Sequence, residues 1–208
     1  MTRHRCSTIA LLVTLAGAGG SACQLRRPDV IPARMIEPRL INPGDPGDPG
    51  SQPPSPGQRP AADAIPVRLV ETQARGHIGR RLLHQEADGE LVEDAAWRWA
   101  SSPSRYLDSA LRLAFSSSPR VRLVDSGNAP AIAVTLIAWH LEAGAGVHLI
   151  GAIELVITRT DRTVSTQVIR GSEPVSSAPP GDLAAAAGRL LQTLASQSVT
   201  RAAQETGG

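Results

Sequence analysis

The chain has 208 residues, 41% of them apolar, which is enough to build the core of one domain of ordinary size. Its formal charge of +2 arises from 21 basic residues, all of them arginine, against 19 acidic residues. Removal of Arg3 and Arg5 with an N-terminal leader would leave 19 arginines against the same 19 acidic residues. A neutral protein lacks the basic surface that nucleic-acid binding requires, so we exclude that class and expect no nucleic-acid partner.

Residues 1–22 have the pattern of a lipoprotein signal peptide. Arg3 and Arg5 lie near its start, a stretch of apolar and small residues runs from Thr8 to Gly20, and small residues precede Cys23. The apolar stretch is too short to remain in the bilayer as a spanning helix, which is typical of a cleaved secretory leader. We therefore expect an exported protein.

Cys23 is the single thiol of the processed chain, because the other cysteine, Cys6, lies in the leader. The stretch Gly20-Ser21-Ala22-Cys23 resembles a bacterial lipobox, with glycine at the position that usually holds leucine. The resemblance implies that the nucleophilic thiol of Cys23 receives diacylglycerol and anchors the protein to a membrane. The alternative is an ordinary secretory cleavage after Ala22 that leaves Cys23 free.

Residues 23–64 comprise the lipidated cysteine and a tether rich in proline and glycine, predicted to be disordered because it has few large apolar side chains. Its roughly 40 residues would average about 35–40 Å from end to end as a random coil. The stretch Val30 to Leu40 is the part that could instead pack on the domain. Gln24 stands where lipoproteins retained in the inner membrane typically have aspartate, so we expect the periplasmic face of the outer membrane.

The folded domain is predicted at residues 65–208, where short apolar runs alternate with turn residues. Strands are expected at 65–72, 78–85 and 91–97, and the turn Asp88-Gly89 joins the last two as a hairpin with positive φ at both positions. Ser102 and Pro103 are expected to cap and open a helix that ends before Pro119. Its apolar residues recur at helical spacing: Leu107, Ala110, Leu111 and Ala114.

The second half of the domain predicts four strands, at 121–124, 131–142, 147–159 and 163–170, and a final helix capped by Asp182. In the two longest strands both alternating sets of side chains are apolar. Such strands are buried on both faces, or one face is covered by a partner. The order β-β-β-α-β-β-β-β-α predicts an α+β fold in which two main helices pack on a mixed or antiparallel sheet.

Two stretches resemble the ABC-type transport auxiliary lipoprotein family, which includes paraquat-inducible protein C and the lipoprotein partners of Mce (mammalian-cell-entry) proteins. They are WRWASSPSRYLDSALRLAF from Trp97 to Phe115 and VRLVDSGNAPAIAVTLIAWHLE from Val121 to Glu142. Family members likewise have Trp-Ala before a proline-opened helix, a short strand ending near Val-Asp, and a long strand ending in an aromatic residue and glutamate. The resemblance covers about Ile65 to Ala203.

The resemblance implies a non-catalytic auxiliary component of a lipid transport system in the cell envelope. Its expected partners are an Mce-domain protein and, through it, an ABC permease and ATPase, with homo-oligomers also possible. The chain has no Walker A motif, so it does not supply the ATPase itself. A structural or assembly lipoprotein that binds peptidoglycan or outer-membrane proteins is the alternative.

Few other residues suggest a site. Trp97 and Trp99 share a parity and form either a patch that contacts protein or lipid, or part of the core beneath the helix Tyr106 to Phe115. His140 and His148, with Glu142 nearby, could face each other across a turn, but alternating histidines in strands are more often ordinary polar side chains, so we expect no metal. No motif of a catalytic nucleophile or cofactor is present, so we expect no enzyme activity and no cofactor.

Overall fold

The computed structural model describes residues 32–40, 63–176 and 181–207. The signal peptide, Cys23 and residues 41–62 of the expected tether lie outside the described residues. The elements, in chain order, are β1 (Arg34–Ile36), β2 (Ile65–Ala74), β3 (Arg81–Gln85), β4 (Leu91–Trp99), α1 (Pro103–Ser117), β5 (Val121–Leu123), β6 (Ala131–Ala143), β7 (Val147–Thr158), β8 (Val164–Val175) and α2 (Gly181–Thr206). The expected α+β class is confirmed, with one strand more than the sequence predicted.

The described strands form one mixed sheet of eight strands. Strands β6, β7 and β8 make an antiparallel meander. On its other edge, β6 pairs in parallel with β2 along its first half and with β3 at its end. Strand β5 extends the sheet beside β2, while β4 and β1 extend it beside β3. Strand β6 is therefore the centre of the sheet, and two short arms branch from one of its edges.

Strand β1 lies in a stretch that the sequence assigned to the tether. It runs parallel to β4, with Arg34 beside Trp97 and Ile36 beside Trp99, and Ile36 is buried. Residues 32–40 pack on the domain, which is the alternative left open for Val30 to Leu40, whereas residues 24–31 and 41–62 of the expected tether lie outside the described residues. The free edge of β4 gives this short segment backbone partners, and its two prolines, Pro32 and Pro38, flank the strand rather than interrupt it.

After β1 the chain crosses helix α2 at very close range. The backbone amide of Arg39 donates a hydrogen bond to the carbonyl oxygen of Ala184, and a Cβ at position 188 would overlap the carbonyl oxygen of Arg39. Only a glycine at position 188 leaves room for this crossing. Leu40 then packs against the core.

Both helices lie on the same face of the sheet, because they contact each other as well as the strands. Helix α1 begins at Pro103 as predicted, but the side chain of Ser102 makes no capping hydrogen bond; its hydroxyl lies 3.2 Å from that of Ser104 instead. In helix α2, Asp182 lies in the first turn and its carboxylate accepts a hydrogen bond from the hydroxyl of Ser176. The sequence was thus right that α1 begins at Pro103 and wrong about its cap, and Asp182, which was expected to cap α2, lies inside the first turn of that helix.

We call the helix-bearing side of the sheet the covered face and the other side the open face. On the covered face, Gly151 of β7 and Gly171 of β8 are directly paired. A Cβ on Gly171 would lie 2.6 Å from a methyl carbon of Leu190, and one on Gly151 would lie 3.0 Å from that side chain. The two glycines therefore form a depression in the sheet that receives Leu190 of α2, which is fully buried.

Two hairpin turns have the same hydrogen bonds but different residues at the critical position. In the first turn, the backbone amide of Gly89 donates to the carbonyl oxygen of Glu86, and the amide of Glu86 donates to the carbonyl oxygen of Glu90. The second turn, from Arg159 to Thr163, has the same two hydrogen bonds. The positive φ falls on Gly89 (89°) and on Arg162 (69°). These are three-residue loops with one left-handed residue, so the expectation of positive φ at both Asp88 and Gly89 is corrected.

Candidate functional site at the Trp97 pocket

A pocket of about 320 Å³ opens where strands β3, β4, β6, β7 and β8 meet the beginning of α2. The strand ends meet here because β3 is parallel to β6, so β3 ends beside the hairpin that joins β6 to β7. We call it the Trp97 pocket. Its apolar walls come from seven side chains: Leu82, Trp97, Leu141, Ala143, Val147, Val175 and Leu183.

Polar side chains also line the Trp97 pocket, and two of them, His84 and Asp94, are hydrogen-bonded to each other. The Nε2 atom of His84 lies 2.9 Å from a carboxylate oxygen of Asp94. The other carboxylate oxygen accepts hydrogen bonds from the backbone amides of Ala96, at 2.7 Å, and Trp97, at 2.8 Å. Burial by itself would raise the pKa of Asp94, but these amides and the His84 ring outweigh it and hold that pKa below 3.8. Asp94 is therefore ionised at neutral pH.

Trp97 connects the pocket to the N-terminal strand. Its ring is half-buried, and the guanidinium carbon of Arg34 lies 5.3 Å from the ring centroid, within range of a cation–π interaction. Strand β1 therefore places a positive charge against a side chain that lines the pocket. Of the two tryptophans suggested by the sequence, Trp97 is the one available to a ligand or partner.

Trp99 belongs to the core and offers no surface to a partner. It is 0% exposed, and its ring lies 5.6 Å from that of Trp139, tilted by 56°. The addition of β1 beside β4 brings Ile36 next to Trp99 in the sheet, which the sequence did not predict. The patch interpretation is therefore wrong for Trp99, which is buried against Trp139.

The two histidines that suggested a metal site have separate partners. The Nε2 atom of His140 lies 3.1 Å from the side-chain oxygen of Gln85, and Nδ1 of His148 lies 3.2 Å from the hydroxyl of Ser172. Burial lowers the pKa of His140 below 6.5; Glu142 opposes this shift and His77 adds to it. Across residues 32–40, 63–176 and 181–207, no three His, Cys, Asp or Glu side chains are grouped so that they could hold a metal ion.

Residues 48–198 match the family model described as the ABC-type transport auxiliary lipoprotein component. The match covers more than half of the chain. The chain belongs to this family. The expected family is thereby confirmed, and with it the role of a lipoprotein that assists an ABC-type transporter.

Two solved structures with TM-scores above 0.5 support the fold of this auxiliary lipoprotein. Protein XCC0632 from Xanthomonas campestris has 16% identity and a TM-score of 0.63, with 84% of this chain and 100% of that chain covered. An uncharacterized protein has 14% identity and a TM-score of 0.54, with 70% and 95% covered. A minor lipoprotein from Acinetobacter baumannii has 11% identity and a TM-score of 0.40, with 67% and 93% covered. Among curated proteins, none matches the chain.

The expected anchor of the auxiliary lipoprotein, Cys23, lies outside the described residues. None of the helices that the structure describes is long and apolar enough to cross a membrane. Sequence reasoning missed His84, Asp94 and the pocket they line. The two residues sit on opposite strands of the predicted Asp88-Gly89 hairpin, so their proximity was available from the sequence, but the pocket depends on β6, β7, β8 and α2 as well.

Proposed function

We propose that this protein is an outer-membrane lipoprotein on the periplasmic face, where it acts as a non-catalytic auxiliary component of an Mce-type ABC system that transports lipids. The match of residues 48–198 to the transport auxiliary family carries the proposal. The lipobox-like sequence that ends at Cys23 supports the lipid anchor, and Gln24 supports the location in the outer membrane. The Mce-domain protein is the direct partner, and the permease and ATPase are reached through it.

Crosslinking followed by affinity purification tests the partnership. The full-length protein, expressed in its own host and crosslinked in intact cells, is expected to recover an Mce-domain protein. Recovery of peptidoglycan or outer-membrane assembly proteins instead, with no Mce-domain protein, would overturn the proposal in favour of a structural lipoprotein. Cells that lack the Mce-domain protein serve as the control for nonspecific capture.

The anchor has its own test. Mass spectrometry of the processed N-terminus is expected to find Cys23 with diacylglycerol, whereas an unmodified cysteine would contradict lipidation. The sorting expectation is tested by density fractionation of membranes from cells with the native chain and with Gln24→Asp. The native chain should be found in outer-membrane fractions, and the variant should shift to the inner membrane.

The open face of the sheet is the surface we assign to self-association. It presents Val164 and Val168 to solvent, 62% and 49% exposed, and the half-buried Val156 lies opposite Thr166, the residue between them on this face. Exposed apolar side chains on one face of a sheet favour contact with another protein surface. Sedimentation of the detergent-solubilised protein, compared with a Val164→Ser and Val168→Ser double variant, should show an oligomer that the variant loses.

A further inference from the structure

The Trp97 pocket has the size and lining of a site for a hydrocarbon chain. An apolar cavity of about 150 Å³ accepts benzene, which has six carbons, so a pocket of about twice that volume accommodates about a dozen carbons. The pocket has a volume of about 320 Å³, and most of the lining side chains are apolar. This is the lining that a fatty acyl chain requires, since burial of each methylene contributes about 0.8 kcal/mol.

The polar side chains in the lining are already paired within the protein, so the hydrocarbon chain is the part of a ligand that the pocket itself can hold. His84 bonds to Asp94, the side-chain amide of Gln85 donates to the carbonyl oxygen of Gly89, and the hydroxyl of Ser176 donates to Asp182. Acidic side chains, Glu86 and Asp94, also line the pocket. A positive charge lies beside the lining at Arg34, over the Trp97 ring, and it is the group to which a phosphate oxygen of the ligand can bind.

The short stretch of chain between Cys23 and β1 indicates that the ligand comes from the membrane. Strand β1 begins at Arg34, against Trp97, and only nine peptide bonds separate Pro32 from Cys23. Nine residues span at most about 30 Å even when fully extended. If Cys23 carries the anchor, the first strand is held within about one bilayer thickness of the membrane surface.

We propose that the Trp97 pocket binds one acyl chain of a membrane glycerophospholipid. This inference rests on the proposed function and adds to it a location where the auxiliary protein itself contacts the transported class of molecule. The pocket volume admits one chain, so a second chain of the same lipid stays outside.

The test is photolabelling in vesicles. The lipidated full-length protein is reconstituted in phosphatidylethanolamine and phosphatidylglycerol vesicles that contain a trace of phosphatidylcholine with a diazirine near the end of one acyl chain. Irradiation is expected to label wall residues such as Leu141 and Val175, as located by peptide mass spectrometry. Labelling confined to other surfaces would overturn the inference.

Two tryptophan variants on the same hairpin provide the matched comparison. Ala143 is exposed and lines the pocket, so Ala143→Trp should fill it and reduce labelling of the walls about tenfold or more. Ala145 lies two residues further on, at the hairpin tip and outside the pocket lining, so Ala145→Trp should leave labelling unchanged. Equal labelling of both variants would contradict the inference. Thermal unfolding midpoints within about 2 °C of the native protein show that both variants are folded.

A third protein identifies the source of the acyl chain. Cys23→Ser, exported with the leader of a soluble periplasmic protein, lacks the protein's own anchor. Wall labelling in both this variant and the native chain supports a bilayer lipid as the ligand. Labelling only in Cys23→Ser means that the native pocket already holds an acyl chain of its own anchor, which overturns the bilayer source, and labelling in neither overturns the pocket assignment. Loss of the Mce-domain partner in crosslinking, with wall labelling intact, would refute the proposed function alone.

Discussion

The two faces of the long meander have similar sequences and different environments. On the covered face, Ile153, Leu155 and Ile157 of β7 are all fully buried under helix α2. On the open face, the alternating residues Ile150 and Val156 are only half-buried, and they are shielded by neighbouring strands rather than by a second layer of helices within the described residues. The apolar pattern of these strands therefore does not by itself show which face is fully buried. The elements that pack on each face determine how much of each apolar side chain stays exposed to solvent.

The largest expected difference between the faces comes from adjacent residues of β7. Leu155→Ala removes a fully buried side chain of the covered face, so we expect it to lower the free energy of unfolding by about 2–5 kcal/mol. Val156→Ala removes part of a half-buried side chain of the open face and should cost less than about 1 kcal/mol. Urea denaturation of both variants provides the measurement. Equal losses would mean that the open face is covered after all.

The second prediction concerns the outer side of the helix layer, where Arg39 crosses α2. A glycine-to-alanine change inside a helix ordinarily stabilises by about 1 kcal/mol. Gly188→Ala should instead destabilise by about 1–3 kcal/mol, because the new methyl group must displace the Arg39 backbone. Trypsin should also cleave faster after Arg39 in the variant. Gly181→Ala, where a Cβ has open space, is the control and should leave the cleavage rate unchanged.

A third prediction compares the turn between β7 and β8 with the turn between β3 and β4. Arg162 has a left-handed backbone that costs an L-residue about 1 kcal/mol or more. Arg162→Gly should therefore stabilise the protein by about 1 kcal/mol, and Gly89→Ala should destabilise it by a similar amount. Thermal unfolding of the two variants checks both signs. A lower midpoint for Arg162→Gly would show that the arginine side chain contributes more than its backbone costs.

The smallest effect is expected from His140 on the open face. Its folded-state pKa is lowered, chiefly by burial, so the unfolded chain binds more protons than the folded chain as the pH falls through about 6.5. The free energy of unfolding should therefore decrease as the pH falls below that value. His140→Gln should reduce this slope while leaving stability at pH 8 nearly unchanged, as measured by urea denaturation at several pH values. An unchanged slope would contradict the role of His140.

The regular elements could be predicted from the sequence because each carries its own periodicity. Helix α1 has a proline at its start and apolar residues at helical spacing. Strands β6 and β7 are long enough to be recognised as strands from their own sequences. Strand β1 could not be predicted in the same way. It has three residues in a proline-rich stretch, and it exists because β4, about sixty residues later, offers a free edge.

The candidate site was only partly predictable. Trp97 was identified from the sequence, but the same reasoning gave Trp99 an equal role, because parity within β4 does not reveal that Ile36 lies beside it. The family resemblance arose from structural residues of β4, α1, β5 and β6. It therefore identified the fold and gave no information on His84 or Asp94, which line the pocket.

The binding of residues 32–40 to the domain changes the meaning of the proline-rich stretch that follows. Residues 41–62 connect Leu40 to Asp63, and both of these residues belong to the domain. Because the stretch begins and ends on the domain, its length adds nothing to the distance between the domain and the bilayer. Shortening or lengthening it would leave the height of the domain above the lipid surface unaltered. If Cys23 is the anchor, the domain is confined close to the membrane, and any component that crosses the periplasm must cover nearly the whole gap by itself.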